Sequence, residues 1–412
     1  MVLIDMPRRA KRRRATRAGG AASASVVVRG IEVTQAVQNL NHDTRLVADK
    51  RTIARVYLEP SNLSSNVDVQ GEIVVAPTAT GPGNFVASTN AVTLKAARHP
   101  TLAQQRRDAG LSLNFVLPSS PPGPLSVKFH RAIPSGGPDM PILPGNDQVS
   151  VRFVAGVPLR VRALGLRYVD ARLSPAQSFS PKATHFDHLR SFLLRAYPVP
   201  SLDWTQMVID APVTFVPPFS GPQVPPGSGN DPLWRGLLRI LHTHMMSVRQ
   251  GDITAGWDPR THYYGLVADD SGFFRGAATD VPDNPAPQTV AVGPVGVPRS
   301  GNWDTDGSYG DWYGAHELAH TFGRKHPGFC QGQPQHDGTY PHPGGRISDD
   351  TQDSVGFDVG EPELGLPMRA YAHETWHDVM TYCDQQWISK YTYDGIFDRL
   401  AAEEVQFAPL TA

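Results

Sequence analysis

Residues 313–326, YGAHELAHTFGRKH, contain three histidines, a glutamate and a glycine. Because His316 and His320 are four residues apart, an α-helix would place both imidazoles on one face, with their Cβ atoms about 5–6 Å apart. Two side chains at that spacing can bind one metal ion at ~2.0–2.1 Å. Glu317 would point to another side of the same turn, where it can reach a metal-bound water without being a ligand. The pattern predicts a metal site with a catalytic base beside it.

Gly323 and His326 extend this pattern beyond the helix. Glycine adopts a left-handed backbone without strain, so Gly323 can end the helix and turn the chain back. His326 then completes a set of three imidazole ligands, which leaves one position of a tetrahedral zinc open to water. An open position is typical of a catalytic zinc rather than a structural one. A bare HExxH occurs by chance, whereas the extended HExxHxxGxxH has a separate reason for each fixed position.

A methionine turn follows in residues 377–383, HDVMTYC, after a loop rich in Gly, Pro and Asp. HExxHxxGxxH with a downstream Met-turn is the metzincin signature. The chain resembles this clan of zinc metallopeptidases, and within it a bacterial branch that includes secreted mucin- and glycoprotein-cleaving enzymes. The matching segments are HELAHTFGRKHPGFC, YPHPGGRISDD with VGFDVG, and HDVMTYCDQQWISKYTY. The resemblance covers residues 256–397, and more weakly an upstream β-sandwich.

The resemblance implies a role for each matching residue. The three histidines would bind Zn²⁺, and Glu317 would take a proton from the attacking water. Met380 would pack beneath the metal without binding it. Tyr382 would bind the metal at rest and then donate a hydrogen bond to the developing oxyanion; the other interpretation is that Tyr382 is simply a core residue.

The resemblance also implies how the substrate would bind. In metzincins the strand before the active-site helix is a sheet edge that pairs with an extended peptide, a common mode of recognition. We expect this edge strand to be the run YYGLVA, which consists of Tyr263, Tyr264, Gly265, Leu266, Val267 and Ala268. The expected partner is therefore a protein or glycoprotein substrate.

The chain has two cysteines, Cys330 and Cys383, which excludes a disulfide scaffold. Cys330 lies four residues after the third histidine and Cys383 three residues after Met380, so a shared metal would bring each within roughly 14 Å of it. A disulfide between them is one possibility, and similar bacterial members support it. Two inert thiols, or two further ligands that would close the site, are the alternatives. A disulfide would favour an oxidising compartment.

These residues predict a zinc-dependent endopeptidase. An alternative from another class is a catalytically weak or inactive metzincin-fold protein that binds a glycan or a protein. Glu317 argues against it, since an inactive site needs no base. A zinc hydrolase that is not a peptidase is a third possibility, and the Met-turn argues against that one.

The remaining polar clusters give weaker signals. His185 and His188 have no third acid or histidine nearby in sequence, so we expect them at the surface. His242 and His244 are two residues apart on a predicted helix and face different ways. The aspartate-rich stretches at residues 303–307, WDTDG, and 348–353, SDDTQD, indicate Ca²⁺ only weakly, because neither has the spacing of a known calcium loop.

The elements that position these residues fall into two predicted domains. Residues 26–155 contain seven short strand-like runs separated by Pro, Gly and Asn turns, which predicts an all-β sandwich-like domain. Residues 156–412 form the predicted zincin/metzincin catalytic domain, and the whole chain is therefore α+β. Its first elements are a strand in PLRVRALGLRYVD and a helix in ATHFDHLRSFLLRAYP, with Thr184 as the expected N-cap. A second helix is expected from Asp231–Pro232.

Composition narrows the partners and the compartment. The net charge is −1, so no global field indicates nucleic acid, and no apolar run approaches the ~18 residues of a membrane span. Residues 1–25 are expected to be a basic, disordered tail, because no apolar segment of an export signal follows the basic residues. The resemblance predicts a secreted protein; the lack of a signal segment leaves the cytoplasm as the alternative. We expect a monomer.

Overall fold

The computed structural model describes residues 23–171, 173–215, 232–271, 276–298, 303–330 and 336–407. Residues 1–22 of the predicted basic tail lie outside this range. The described residues form 21 strands and five α-helices, a mixed α/β composition that is consistent with the expected α+β class.

The first part of the chain contains eleven strands and one short helix. In chain order these are β1 (Ser25–Thr34), β2 (Val37–Gln38), β3 (Leu46–Val47), β4 (Ile53–Ser61), β5 (Val67–Ala76), β6 (Asn84–Ala87), β7 (Val92–Leu94), α1 (Leu102–Arg106), β8 (Leu113–Val116), β9 (Gly123–Pro134), β10 (Ile142–Leu143) and β11 (Gln148–Val154).

Two sheets in this part share one hydrophobic core. Strand order is β10-β1-β4-β8 in one sheet and β3-β11-β9-β5-β6 in the other, with β7 also paired to β5. Alternate residues of both sheets, among them Val56 and Phe129, point into the common core. All seven predicted strand runs are found. The short strands β3, β6 and β10 and the helix α1 are additional.

The second part contains ten strands and four α-helices. In chain order these are β12 (Leu159–Asp170), β13 (Gln177–Phe179), α2 (Ala183–Ala196), β14 (Leu202–Phe215), α3 (Pro232–Thr254), β15 (His262–Ala268), β16 (Ala277–Ala278), β17 (Val290–Val295), α4 (Gly310–Thr321), β18 (Val355–Asp358), β19 (Arg369–Tyr371), β20 (His377–Asp378), β21 (Gln386–Trp387) and α5 (Lys390–Gln406).

The main sheet of this part is mostly parallel and is covered on both faces. β14, β12, β15 and β17 are parallel neighbours in that order, and β16 pairs antiparallel with β17. Side chains alternate along β15, so Tyr264 packs in the cluster with α2 and α4, whereas Tyr263 packs in the cluster with α3. Burial on both faces explains why β15 reads as a continuous apolar run.

Two predictions about these elements are wrong. The N-cap of α2 is Lys182 and not Thr184. Strand β15, which contains the predicted substrate edge Tyr263–Ala268, is interior, because β12 pairs with one side of it and β17 with the other. Among the described residues, the strand before α4 is β17, and the sheet ends at β16. The segment VAVGPV of β17 carries little strand signal in the sequence, because it is short, contains Gly and Pro, and lacks alternation.

The two parts of the chain are joined by more than their covalent link. β2 pairs with β18, and Trp387 Nε1 donates to the carbonyl oxygen of Ala36 at 2.8 Å. Ala36 and Val37 belong to the core cluster of the second part. Among the described helices, none is both long and apolar enough to cross a membrane.

Candidate metal centre

Helix α4 carries the first two histidines and ends where the sequence predicts. Gly323 has φ +77°, and its amide donates to the carbonyl oxygen of His320 at 2.9 Å. A Cβ on Gly323 would lie 2.4 Å from Arg399 Nη2 and 2.5 Å from the Pro282 oxygen, so both its backbone and its surroundings require glycine. The chain then turns back and brings His326 to the helix.

The three histidines meet at one point. His326 Nε2 lies 3.1 Å from His316 Nε2 and 3.1 Å from His320 Nε2. The three residues are 3–5% exposed, and they form a group that could hold a metal ion. The convergence predicted from their spacing is therefore present in the fold.

Backbone carbonyls fix the orientation of two of the imidazoles. His316 Nδ1 donates to the Val379 oxygen at 2.7 Å, and His320 Nδ1 donates to the Arg324 oxygen at 2.7 Å. Each Nδ1 therefore carries the proton, and each Nε2 directs a lone pair at the shared point. Such outer hydrogen bonds commonly orient histidine ligands of metals.

Burial also keeps these rings neutral. Desolvation, followed by the neighbouring histidines, lowers the pKa of His316 well below its usual value. The same causes lower the pKa of His320 to about 3. A neutral imidazole is the form that binds a metal, so both rings are ready for ligation at neutral pH.

Glu317 lies beside the histidines in a buried position. It is 4% exposed, and desolvation raises its pKa to about 8. Gly276, next to the edge strand β16, is packed against it: a Cβ on Gly276 would lie 2.6 Å from Glu317 Oε1 and 2.6 Å from Tyr313 Cε1. Only glycine lets the chain approach the carboxylate this closely. This contact leaves no pattern in the sequence, because residue 276 is 41 positions from Glu317.

The methionine turn packs against the first histidine. Met380 is 1% exposed, and its neighbour Val379 supplies the carbonyl that orients His316. Asp378, which the sequence pattern did not indicate, holds the turn: its Oδ1 accepts from the Met380 amide at 2.8 Å and its Oδ2 from the Ser389 amide at 3.0 Å. The only feature in the sequence that points to this role is the position of Asp378, two residues before Met380.

Tyr382 and the cysteines lie around the same point. The Tyr382 ring is 4.8 Å from the His326 ring and 5.8 Å from the His316 ring, between centroids, and its side chain is 44% exposed. Tyr382 is therefore not a core residue. Cys330 and Cys383 form a disulfide with Cα atoms 5.2 Å apart, so this prediction is confirmed. The bridge joins the chain after His326 to the methionine turn.

The expectation that His185 and His188 lie at the surface is wrong. They are 5% and 7% exposed, and the loop before α4 packs against the His188 ring at Gly307. His242 donates from Nε2 to the Ala277 oxygen of β16 at 2.8 Å, so it anchors the edge strand.

Comparison with protein-family models, with curated proteins and with solved structures finds no match to this chain.

Proposed function

We propose that the protein is a zinc-dependent endopeptidase of the metzincin type, which hydrolyses peptide bonds in proteins or glycoproteins. The observation that carries the proposal is the convergence of three buried imidazoles with Glu317 at the next helical position. The methionine turn against His316 gives further support.

The donor set fits zinc. Tetrahedral zinc with bonds of 2.0–2.1 Å requires ligand atoms about 3.3 Å apart. The two Nε2 separations of 3.1 Å are close to this value. Neutral imidazoles suit zinc better than they suit calcium or magnesium, which prefer oxygen. With three protein ligands, a fourth position remains for water or substrate.

The chemistry is divided between the metal and the chain. Zinc bound here would polarise the scissile carbonyl and lower the pKa of a bound water towards 7. Glu317, whose raised pKa the charge of a bound zinc would lower, accepts the proton of the attacking water and passes it to the leaving amine. Tyr382, with its ring beside His326, donates a hydrogen bond to the developing oxyanion.

The substrate would lie along β16. This strand is the end of the sheet in the described part of the chain, with β17 on its inner side. Gly276 leads into it and touches both Glu317 and Tyr313, whose hydroxyl accepts from the Gly276 amide at 3.0 Å. An extended peptide added to β16 would therefore pass the base. β16 replaces β15 as the proposed peptide-binding edge.

The disulfide supports a site of action outside the reducing cytosol. Disulfides persist in secreted proteins and are rare in cytosolic ones. Secretion is therefore part of the proposal.

Metal analysis of the purified protein tests the proposal. The wild type should retain zinc and cleave an unfolded protein substrate, and a chelator should stop cleavage. His320→Ala should lose one zinc per chain and all activity, whereas His336→Ala, a histidine outside the proposed ligand set, should keep its zinc. Equal zinc content in wild type and His320→Ala would overturn the assignment. A protein that holds zinc at His320 but cleaves nothing, and instead binds glycans or proteins, would favour the inactive binding module.

A further inference from the structure

A second group of ligand-type side chains meets at the start of α4. Asp304 and Asp306 lie in the loop before the helix, Asp311 lies in its first turn, and His188 comes from α2. Ligand atoms of His188, Asp306 and Asp311 all lie within 4.8 Å of one another. His188, Asp304 and Asp311 are each more than nine-tenths buried.

Negative charge in this group exceeds the positive charge around it. The group borders a cavity of ≈ 50 Å³, whose charged lining residues are Arg195, Asp304, Asp306, Asp311, Asp358 and Arg369. Arg195 is committed to Asp358 through Nη1, and its Nη2 is 3.9 Å from Asp311 Oδ2. Arg369 is exposed and donates to the Thr305 hydroxyl at 2.8 Å.

His188 provides an independent sign of a missing partner. Its Nδ1 is buried and has no hydrogen-bond partner in the described part of the chain, and the nearest carboxylate oxygen, Asp306 Oδ1, is 3.8 Å away. The loop is pressed onto this ring, since a Cβ on Gly307 would lie 2.5 Å from His188 Nε2. A buried, unpaired ring nitrogen facing two carboxylates is the arrangement that a cation would satisfy.

We propose that His188, Asp306 and Asp311 bind a second divalent cation, with Asp304 beside it. One imidazole with carboxylates suits Zn²⁺ or Mn²⁺ better than Ca²⁺, which takes oxygen ligands. The aspartates of WDTDG had indicated calcium, and the histidine brought in by α2 changes the expected metal. The cation joins α2 to the first turn of α4. It therefore stabilises the helix that carries His316 and His320 and plays no part in the chemistry.

Metal counting on the full chain separates the two sites. The protein is stripped of metal with a chelator and dialysed against Zn²⁺ or, in a parallel experiment, Mn²⁺. Its metal content is then measured by inductively coupled plasma mass spectrometry. With Zn²⁺ we expect two equivalents in the wild type, one in His320→Ala, one in Asp306→Asn and none in the double variant. Asp210→Asn is the matched control, because Asp210 is exposed and belongs to none of the groups of described residues that could hold a metal. It should keep both equivalents.

A thermal measurement gives a readout that does not depend on activity. In the His320→Ala background, chelation should lower Tm by about 5 °C or more, because only the second site remains to stabilise the fold. Asp306→Asn in that background should abolish this shift.

Any of three results would overturn the second site. The first is two zinc equivalents in Asp306→Asn, and the second is a wild type that binds a single equivalent, which His320→Ala removes. The third is a His320→Ala protein whose Tm does not change on chelation. The wild-type count decides the matter even if Asp306→Asn fails to fold. Failure of the proposed catalytic site has a different signature, which is full metal retention in His320→Ala.

Discussion

Lys50 carries its amino group into the protein interior, where Nζ donates to the carbonyl oxygens of Leu194 and Arg195. Burial, followed by the charge of Arg195, lowers its pKa to about 7. In the unfolded chain a lysine titrates near 10.4. Between these values the unfolded state binds one proton more than the folded state, so the free energy of unfolding rises with pH.

We expect Lys50→Met to remove this pH dependence. From pH 7 to about 10 the wild type should gain up to ~1.4 kcal/mol per pH unit from this group, and the variant should not. Urea unfolding at pH 7, 8 and 9 measures the slope, with the exposed Lys182→Met as control. Identical slopes in wild type and Lys50→Met would show that the ammonium is already solvated in the folded protein.

Single residues also show what the sequence could and could not predict. Helical periodicity places His316 and His320 on one face, and Gly323 ends the helix so that the chain can turn back. The convergence of both residues with His326 was therefore predictable. The contacts of Gly276, Asp378 and His188 were not, because they depend on segments that meet only through tertiary packing. A contact between distant residues leaves no periodic signal in one sequence.

At the scale of elements, long runs with clear pattern were predictable and short ones were not. The seven strand runs predicted in the first part, β12, α2 and the start of α3 all follow from apolar patterning and turn residues. The two-residue strand β16 has no pattern that a sequence could display. The resemblance therefore predicts the sheet edge at β15, the strand-like run before the helix, although such an apolar run is typical of an interior parallel strand.

The disulfide couples two elements of the candidate metal centre. It closes a loop of 53 residues, between the chain after His326 and the methionine turn. A loop of that length corresponds to ~4 kcal/mol in the chain-entropy account, and removal of native disulfides costs ~2–5 kcal/mol.

Cys330→Ala/Cys383→Ala should therefore lower the free energy of unfolding by ~2–4 kcal/mol. It should also weaken zinc retention, because His326 is no longer tied to the turn beneath it. Chemical denaturation and chelator competition measure the two effects. Cys330→Ala alone is the matched control, and it should lose as much stability as the pair. A double variant with wild-type stability would mean that the loops are held by packing alone.

At the scale of the whole molecule, the two parts share structure. The core of the second part includes Ala36, Val37 and Val47, and the Tyr393 hydroxyl donates to Gln35 Oε1 at 3.2 Å. The buried Arg106 binds Glu32 in the first part at 2.8 Å and donates to the Asp353 oxygen in the second at 2.9 Å. These contacts cross the predicted boundary at residue 155.

We therefore expect residues 156–412 alone to be much less stable than the full chain. Without the first part, strand β18 loses β2 and Trp387 loses its acceptor. Thermal unfolding should show no cooperative transition, or one at a clearly lower temperature. Addition of separately produced residues 23–155 should restore it in part. A fragment that unfolds cooperatively at the Tm of the full chain would show two independent domains.

The turnover of Glu317→Gln tests the central claim most directly. Glutamine keeps the shape of the side chain but cannot accept the proton of the attacking water. At a metal content equal to that of the wild type, kcat on an unfolded protein substrate should fall by ~10²–10⁴. Near wild-type turnover, with zinc still bound, would contradict the proposed mechanism.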